Sequence, residues 1–116
     1  MNKLLMDSLL YDFYGDMLSE HQKGIYEDFV LNDLSLSEIA EEHGISRQGV
    51  HDTVKRCSEK LADYEAKLKL VDKFMKIRKD ISEIEKQAGM LKSGETEAGE
   101  AADRIAFLAG QILEEI

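Results

Sequence analysis

The sequence predicts an all-α protein: a helix-turn-helix bundle followed by a long helical tail. Three observations carry this. The 116 residues contain no proline, so no residue lacks the N–H that a helical ladder needs. Glu, Lys, Leu, Ala and Ile are abundant, a composition that favours long helices. No run alternates apolar and polar residues with Val, Thr and aromatics in the manner of a strand, and no internal repeat is present.

The elements follow in order. Leu4, Leu5, Leu9, Tyr11, Phe13, Met17 and Leu18 mark a first helix with apolar residues on more than one face, ending near Leu18. Ser19-Glu20-His21-Gln22 has the form of a capping box, with the serine capping the next helix and Gln22 reaching back to it. Ile25, Tyr26, Phe29 and Val30 recur at helical spacing before Asn32-Asp33 breaks the run. Ser35-Leu36-Ser37-Glu38 is a second capping box, opening a short third helix on Leu36, Ile39 and Ala40. Gly44 suits its left-handed C-cap, and Ser46 suits the N-cap of the helix that follows.

Val50, Val54, Cys57 and Leu61 form one stripe of that fourth helix. Two short helices joined by Gly44-Ile45-Ser46 give a helix-turn-helix. Ala40 is the small residue that lets the pair approach, Ile45 plugs the core from the turn, and Val50 and Val54 anchor the second helix. Gly49 stands inside that helix where alanine is expected, at a cost of about 0.5–1 kcal/mol. We read it as a tolerated lapse in preference to a close approach of backbone to phosphate.

Past Leu61 no stop signal occurs until the loop KSGETEAGE (Lys92–Glu100). Tyr64, Leu68, Val71 and Met75 extend the first stripe, and a second runs through Leu70, Phe74, Ile77, Ile81, Ile84, Ala88 and Leu91. This predicts either one long helix or two helices meeting near Tyr64 to Lys67. Ala101, Ile105, Leu108, Ala109 and Ile112 form a short last helix. The chain is thus divided into a helix-turn-helix domain, 1–62, and a helical tail, 63–116, packed on the first part or on a second chain. Helix-turn-helix proteins commonly dimerise to read two half-sites; Leu70, Phe74, Ile77, Ile81 and Ile84 are the expected homodimer interface.

The formal charge is −9, which sits oddly with a nucleic-acid motif. The charge is uneven, however. Residues 46–60 carry Arg47, Lys55, Arg56 and Lys60 against Asp52 and Glu59. The stretch KLKLVDKFMKIRK (Lys67–Lys79) has six bases against Asp72 alone. The acids concentrate before residue 46 and after residue 92.

Two function classes follow. In the first, the fourth helix reads DNA. Arg47, Gln48, His51, Asp52 and Lys55 face outward; Arg47, Gln48, His51 and Lys55 approach base edges, while Ser46, Lys55, Arg56 and Lys60 touch phosphate. Acidic flanks make such binding modest and steeply salt-dependent. In the second, Lys67, Lys69, Lys73, Lys76, Arg78 and Lys79 contact the phosphates of an RNA, against the plain reading of a solvated face.

Several classes are excluded. His21, His43 and His51 have no partner histidine or cysteine at ligand spacing, so no metal site is expected. His51 reads as a surface residue, and Cys57 on its apolar stripe as a core thiol. No nucleophile–base set and no glycine-rich phosphate loop is present. The chain is expected to be no enzyme, to need no cofactor and to have no catalytic residue. The single cysteine excludes an intramolecular disulfide, and MNKLLMDSLLYDFY, interrupted by Asp7 and Asp12, is no signal peptide. No apolar run approaches a membrane span. The expected location is the cytoplasm.

The stretch MLSEHQKGIYEDFVLNDLSLSEIAEEHGISRQGVHDTVKRCSEKL (Met17–Leu61) resembles the promoter-reading C-terminal domain, region 4, of bacterial sigma factors. There, S-x-x-E-I-A leads into G-[IV]-S-x-x-x-V. With LLYDFYGDMLSEHQ (Leu9–Gln22) and LADYEAKLKLVDKF (Leu61–Phe74), the chain is similar to the YlxM / p13-like (UPF0122) family over about residues 4–91. That resemblance implies a sigma-like helix-turn-helix with a helical tail, and a DNA-binding or regulatory role. It also implies a link to the signal recognition particle, through gene neighbourhood with its GTPase and receptor. On the second function class, the chain is then an adaptor for the particle's RNA or its GTPase.

Overall fold

The computed structural model describes residues 2–116. Its order is α1 (Lys3–Tyr14), a single 3-10 turn (Gly15–Met17), α2 (Glu20–Val30), α3 (Leu36–His43), α4 (Arg47–Leu68), α5 (Leu70–Ser93) and α6 (Ala98–Glu115). No strand occurs among the described residues, so the chain is all-α.

Both capping boxes form. Ser19 Oγ accepts from Gln22 N–H while the Gln22 side chain accepts from Ser19 N–H, and Ser35 and Glu38 do the same. Gly44 closes α3 in the left-handed region at φ 66°, where a Cβ is unfavourable. Ser46 Oγ then accepts the Gly49 N–H at 3.0 Å and starts α4.

The chain divides into two compact units, the first ending at Val71 and the second spanning Asp72–Ile116. The boundary expected after residue 62 falls inside α4, which runs unbroken to Leu68. In the first unit α4 is the spine: α1, α2 and α3 all pack on it. Ile25, Ile39, Ala40 and Val50 form a buried cluster, flanked by Leu34, Leu36, Ile45 and Val54. Val50, Cys57 and Leu61 are fully buried, each aliphatic side chain contributing about 1.5–3 kcal/mol.

Tyrosine hydroxyls tie the edges of this core. Tyr11 donates to Glu27 (2.9 Å), Tyr14 donates to Glu65 (2.6 Å), and Tyr26 bonds Ser58 (3.2 Å). Burial foremost raises the pKa of each phenol, so all three stay protonated. Tyr11 tilts against Tyr26 and Tyr14 stacks on Tyr64, each pair with ring centroids 5.9 Å apart.

Of the two readings of the stripes, one long helix or two, the structure has two helices, and they meet at Lys69, just past the expected Tyr64 to Lys67. Lys69 caps α4 in the left-handed region at φ 56°. The first free donors of α5 are bound by side chains: Leu70 N–H by the Tyr14 hydroxyl and Val71 N–H by Glu65 Oε1, each at 3.0 Å.

In the second unit, α5 extends to Ser93 and α6 starts at Ala98, so the loop is shorter and the last helix longer than the sequence predicts. Gly94 at φ 77° makes the stop possible. Its N–H bonds Leu91 O and the N–H of Glu95 bonds Met90 O, the paired bonds of a Schellman ending.

A candidate nucleic-acid interface on α4

The α3–turn–α4 hairpin holds one face of α4 rigidly inward. At about 100° per residue, the buried Val50, Cys57 and Leu61 share one arc. Arg47, Gln48, His51 and Lys55 fall within a neighbouring arc of about 100°, centred about 110° round the helix from the buried one, and all four are exposed. Four of the candidate residues are therefore gathered on one outward surface. Ser46 is spent on the backbone as N-cap. Arg56 is exposed but lies further round the helix.

Lys60 is separate. Its ammonium donates to the Met17 carbonyl at 2.9 Å and closes the 3-10 turn after α1. Its charge is engaged 43 positions away in sequence, a partnership no local pattern signals.

Asp52 is exposed beside the outward arc, as its place on the helix predicts, and the structure adds its partners. The Gln48 amide donates to Asp52 Oδ1 at 3.0 Å, and His51 Nδ1 lies 3.6 Å from the same oxygen. The i,i+4 spacing of Gln48 and Asp52 was the available signal. The carboxylate fixes the Gln48 amide group and puts one negative charge among the bases.

Behind this surface, α3 is held to α2 by His43. Its Nε2 lies 2.7 Å from Asp28 Oδ2, and the Asn32 amide donates to Asp28 Oδ1 at 2.8 Å. These contacts, His43 foremost, hold the Asp28 carboxyl below its ordinary pKa. A Cβ at Gly24 would make only ordinary contact with the His43 ring, 3.5 Å from its Cε1. Gly49 is tighter. A Cβ at 49 would lie 3.1 Å from Ser46 Oγ, so the glycine leaves room for the N-cap of its own helix.

Of the Lys67–Lys79 bases, Lys67 and Lys69 belong to the first unit and Lys73, Lys76, Arg78 and Lys79 to the second. Lys76 pairs with Asp72 at 3.1 Å. On α5, Arg78 points about 100° or more away from Lys76 and Lys79. The apolar stripe keeps its exposure: Leu70 and Ile81 are 40% and 45% exposed, and Phe74, Ile77 and Ile84 are half-buried. Leu70 lies in the first unit, the other four in the second.

Cys57 is buried, and burial pushes its thiol pKa up, the reverse of a reactive thiol. Among the described residues, no cluster of three or more metal-ligating side chains occurs, and no helix is long and apolar enough to cross a membrane.

Comparison with known proteins gives a consistent picture. The family described as helix-turn-helix protein, YlxM / p13 like (UPF0122), matches residues 1–100. The UPF0122 protein of Desulforamulus reducens is 44% identical over 92 residues, 79% of each chain. That of Caldanaerobacter subterraneus subsp. tengcongensis is 50% identical over 80 residues, 69% of this chain and 68% of the relative. That of Listeria welshimeri is 44% identical over 80 residues, 69% of this chain and 73% of the relative.

Proposed function

Because the chain belongs to the YlxM / p13-like helix-turn-helix family (UPF0122), we propose that it is a DNA-binding regulatory protein that docks α4 in the major groove. The observation that carries this reading is the single exposed arc of Arg47, Gln48, His51 and Lys55 on a helix anchored in the core through Val50, Cys57 and Leu61. Arginine suits the O6/N7 edge of guanine and glutamine the N6/N7 edge of adenine. Lys55 and Arg56 reach the flanking phosphates. The N–H groups of Arg47 and Gln48, in the first turn of α4, have no acceptor within the helix and suit a phosphate oxygen.

The acidic total charge limits this activity without opposing it. Negative residues elsewhere weaken indiscriminate attraction to DNA, so sequence preference has to come from the few side chains of the arc. The second reading is the adaptor of the signal recognition particle, which the family resemblance raises and which would use Lys67, Lys69, Lys73, Lys76, Arg78 and Lys79. The spread of Lys76, Arg78 and Lys79 over more than one face of α5, with Lys76 paired to Asp72, favours the α4 reading.

The test is fluorescence anisotropy with duplexes enriched from a random pool, comparing the wild type with Arg47→Ala plus Lys55→Ala. The double variant is expected to lose about 2–4 kcal/mol of specific binding. Duplex retention at wild-type affinity by the variant would falsify the assignment of α4. Titration of labelled particle RNA, and separately of its GTPase, into the same proteins tests the adaptor; a response there with none to DNA replaces the proposal.

A further inference from the structure

The second unit is underpacked. Of its described side chains only Ala101 and Leu108 are buried hydrophobics, a thin core for helices of 24 and 18 residues. Yet α5 carries a second apolar surface. Phe74, Ile77, Ile81, Ile84, Ala88 and Leu91 fall within an arc of about 100°, at alternating steps of three and four residues. That is a heptad seam. Ile81 and Leu91 are 45% and 40% exposed. α6 lies along one flank of α5, where Lys76, Lys79 and Glu83 share a groove with Phe107, Leu108 and Gln111. The other flank of the seam is an open groove of about 380 Å³ lined by Phe74, Ile77, Ile81, Arg78, Ser82 and Glu85.

The charges beside the seam choose among the occupants. If two copies of α5 ran parallel and in register, Lys73 would face Arg78 and Asp80 would face Glu85, both repulsive. If they ran antiparallel and centred on Arg78 to Asp80, each of those residues would meet its own copy. One antiparallel register avoids every like pair. It sets Phe74 against Leu91, Ile77 against Ala88 and Ile81 against Ile84. It brings Arg78 against Glu85 twice on one edge, and Asp80 against Gln87 on the other.

We propose that the α5 seam is the interface of a homodimer in which two copies of α5 pack antiparallel, with Arg78 of each chain paired to Glu85 of the other. With α6 alongside each α5, the dimer core is a four-helix assembly. This inference does not depend on DNA binding.

Sedimentation equilibrium on the full chain tests it. The wild type sediments at twice the chain mass. Arg78→Glu and Glu85→Arg each place like charges together twice and raise the dimer Kd about tenfold or more. The double swap restores the wild-type Kd. Ile81→Glu gives monomers whose circular dichroism keeps its helical signal, since Ile81 is half exposed in the single chain. A wild type that is monomeric at about 100 μM overturns the proposal. So do single swaps without effect. Single swaps that tighten the dimer overturn it too. In a parallel pair the carboxylate brought in by Arg78→Glu would meet Lys73, and the guanidinium brought in by Glu85→Arg would meet Asp80.

Discussion

Tyr14 and Glu65, 51 positions apart, share a 2.6 Å hydrogen bond that also starts α5. The Tyr14 hydroxyl donates to Glu65 Oε1 and accepts Leu70 N–H, while the same Glu65 oxygen accepts Val71 N–H. Tyr14→Phe removes both bonds of the hydroxyl and leaves Leu70 N–H without its acceptor. The expected cost is about 1–2 kcal/mol in urea unfolding. Hydrogen exchange should quicken at Leu70 and Val71 before it quickens at Val50 or Leu61. Equal acceleration at all four sites would show that the bond network is not local to the junction.

That junction shows where the sequence stops being legible. Capping boxes, Gly44 and the Val50–Leu61 stripe are local signals, and each is readable because its partner lies within a few residues. The break at Lys69 carries no glycine or proline; it is imposed by a tyrosine on α1. The same holds for the α4 surface. The outward arc of Arg47, Gln48, His51 and Lys55 follows from helical periodicity, whereas the engagement of Lys60 by Met17 requires the fold.

Lys60 therefore separates stability from binding. Lys60→Met keeps the aliphatic stem and removes the donor to the Met17 carbonyl. It should cost about 0.5–1 kcal/mol of stability and leave the salt dependence of DNA affinity unchanged. Lys55 and Arg56 supply the phosphate contacts instead, so log Kd against log salt should have a slope near 2 per protomer, about 0.9 for each phosphate neutralised. A slope that drops by about one unit in Lys60→Met would place Lys60 back on the nucleic-acid surface.

Asp28 sets the acid limit of the hairpin. Its carboxyl is held low by His43 and then by Asn32, so its folded pKa lies beneath its unfolded value of about 3.9. The stability it contributes is present above that unfolded value and is lost as pH falls through the folded one. The stability gap between wild type and Asp28→Asn should hold steady above about pH 4 and shrink beneath it. Urea titrations from neutrality down to about pH 3 read this directly. A gap that widens on acidification would contradict the sign.

Gly15 and Gly49 are expected to respond to alanine in different ways. A Cβ at 15 would lie 2.8 Å from Tyr11 Cε1. That ring is buried, tilted against Tyr26 and tied to Glu27 by its hydroxyl, so it cannot swing aside freely. Gly15→Ala should cost about 1–3 kcal/mol. At Gly49 the neighbour is the Ser46 hydroxyl at 3.1 Å, which needs to give only a few tenths of an ångström. The gain in helix propensity, about 0.5–1 kcal/mol, then offsets a weakened cap, and Gly49→Ala should change stability by less than about 0.5 kcal/mol. If it nevertheless abolishes DNA binding, the glycine serves a close phosphate approach and not only the cap.

Asp52 tests how the α4 surface discriminates. Its carboxylate accepts from the Gln48 amide and lies 3.6 Å from His51 Nδ1, so it both orients glutamine and repels phosphate. Asp52→Ala frees the Gln48 amide and removes one negative charge from the outward arc. Affinity for an arbitrary duplex at low salt should rise roughly fivefold, while preference at the base Gln48 reads should flatten. Selection from a random duplex pool measures both at once. Asp52→Asn keeps an acceptor for Gln48 without the charge, so it should raise affinity and retain the preference. If Asp52→Ala selects the same sequences as the wild type, the carboxylate acts only through its charge, and Gln48 needs no support to read its base.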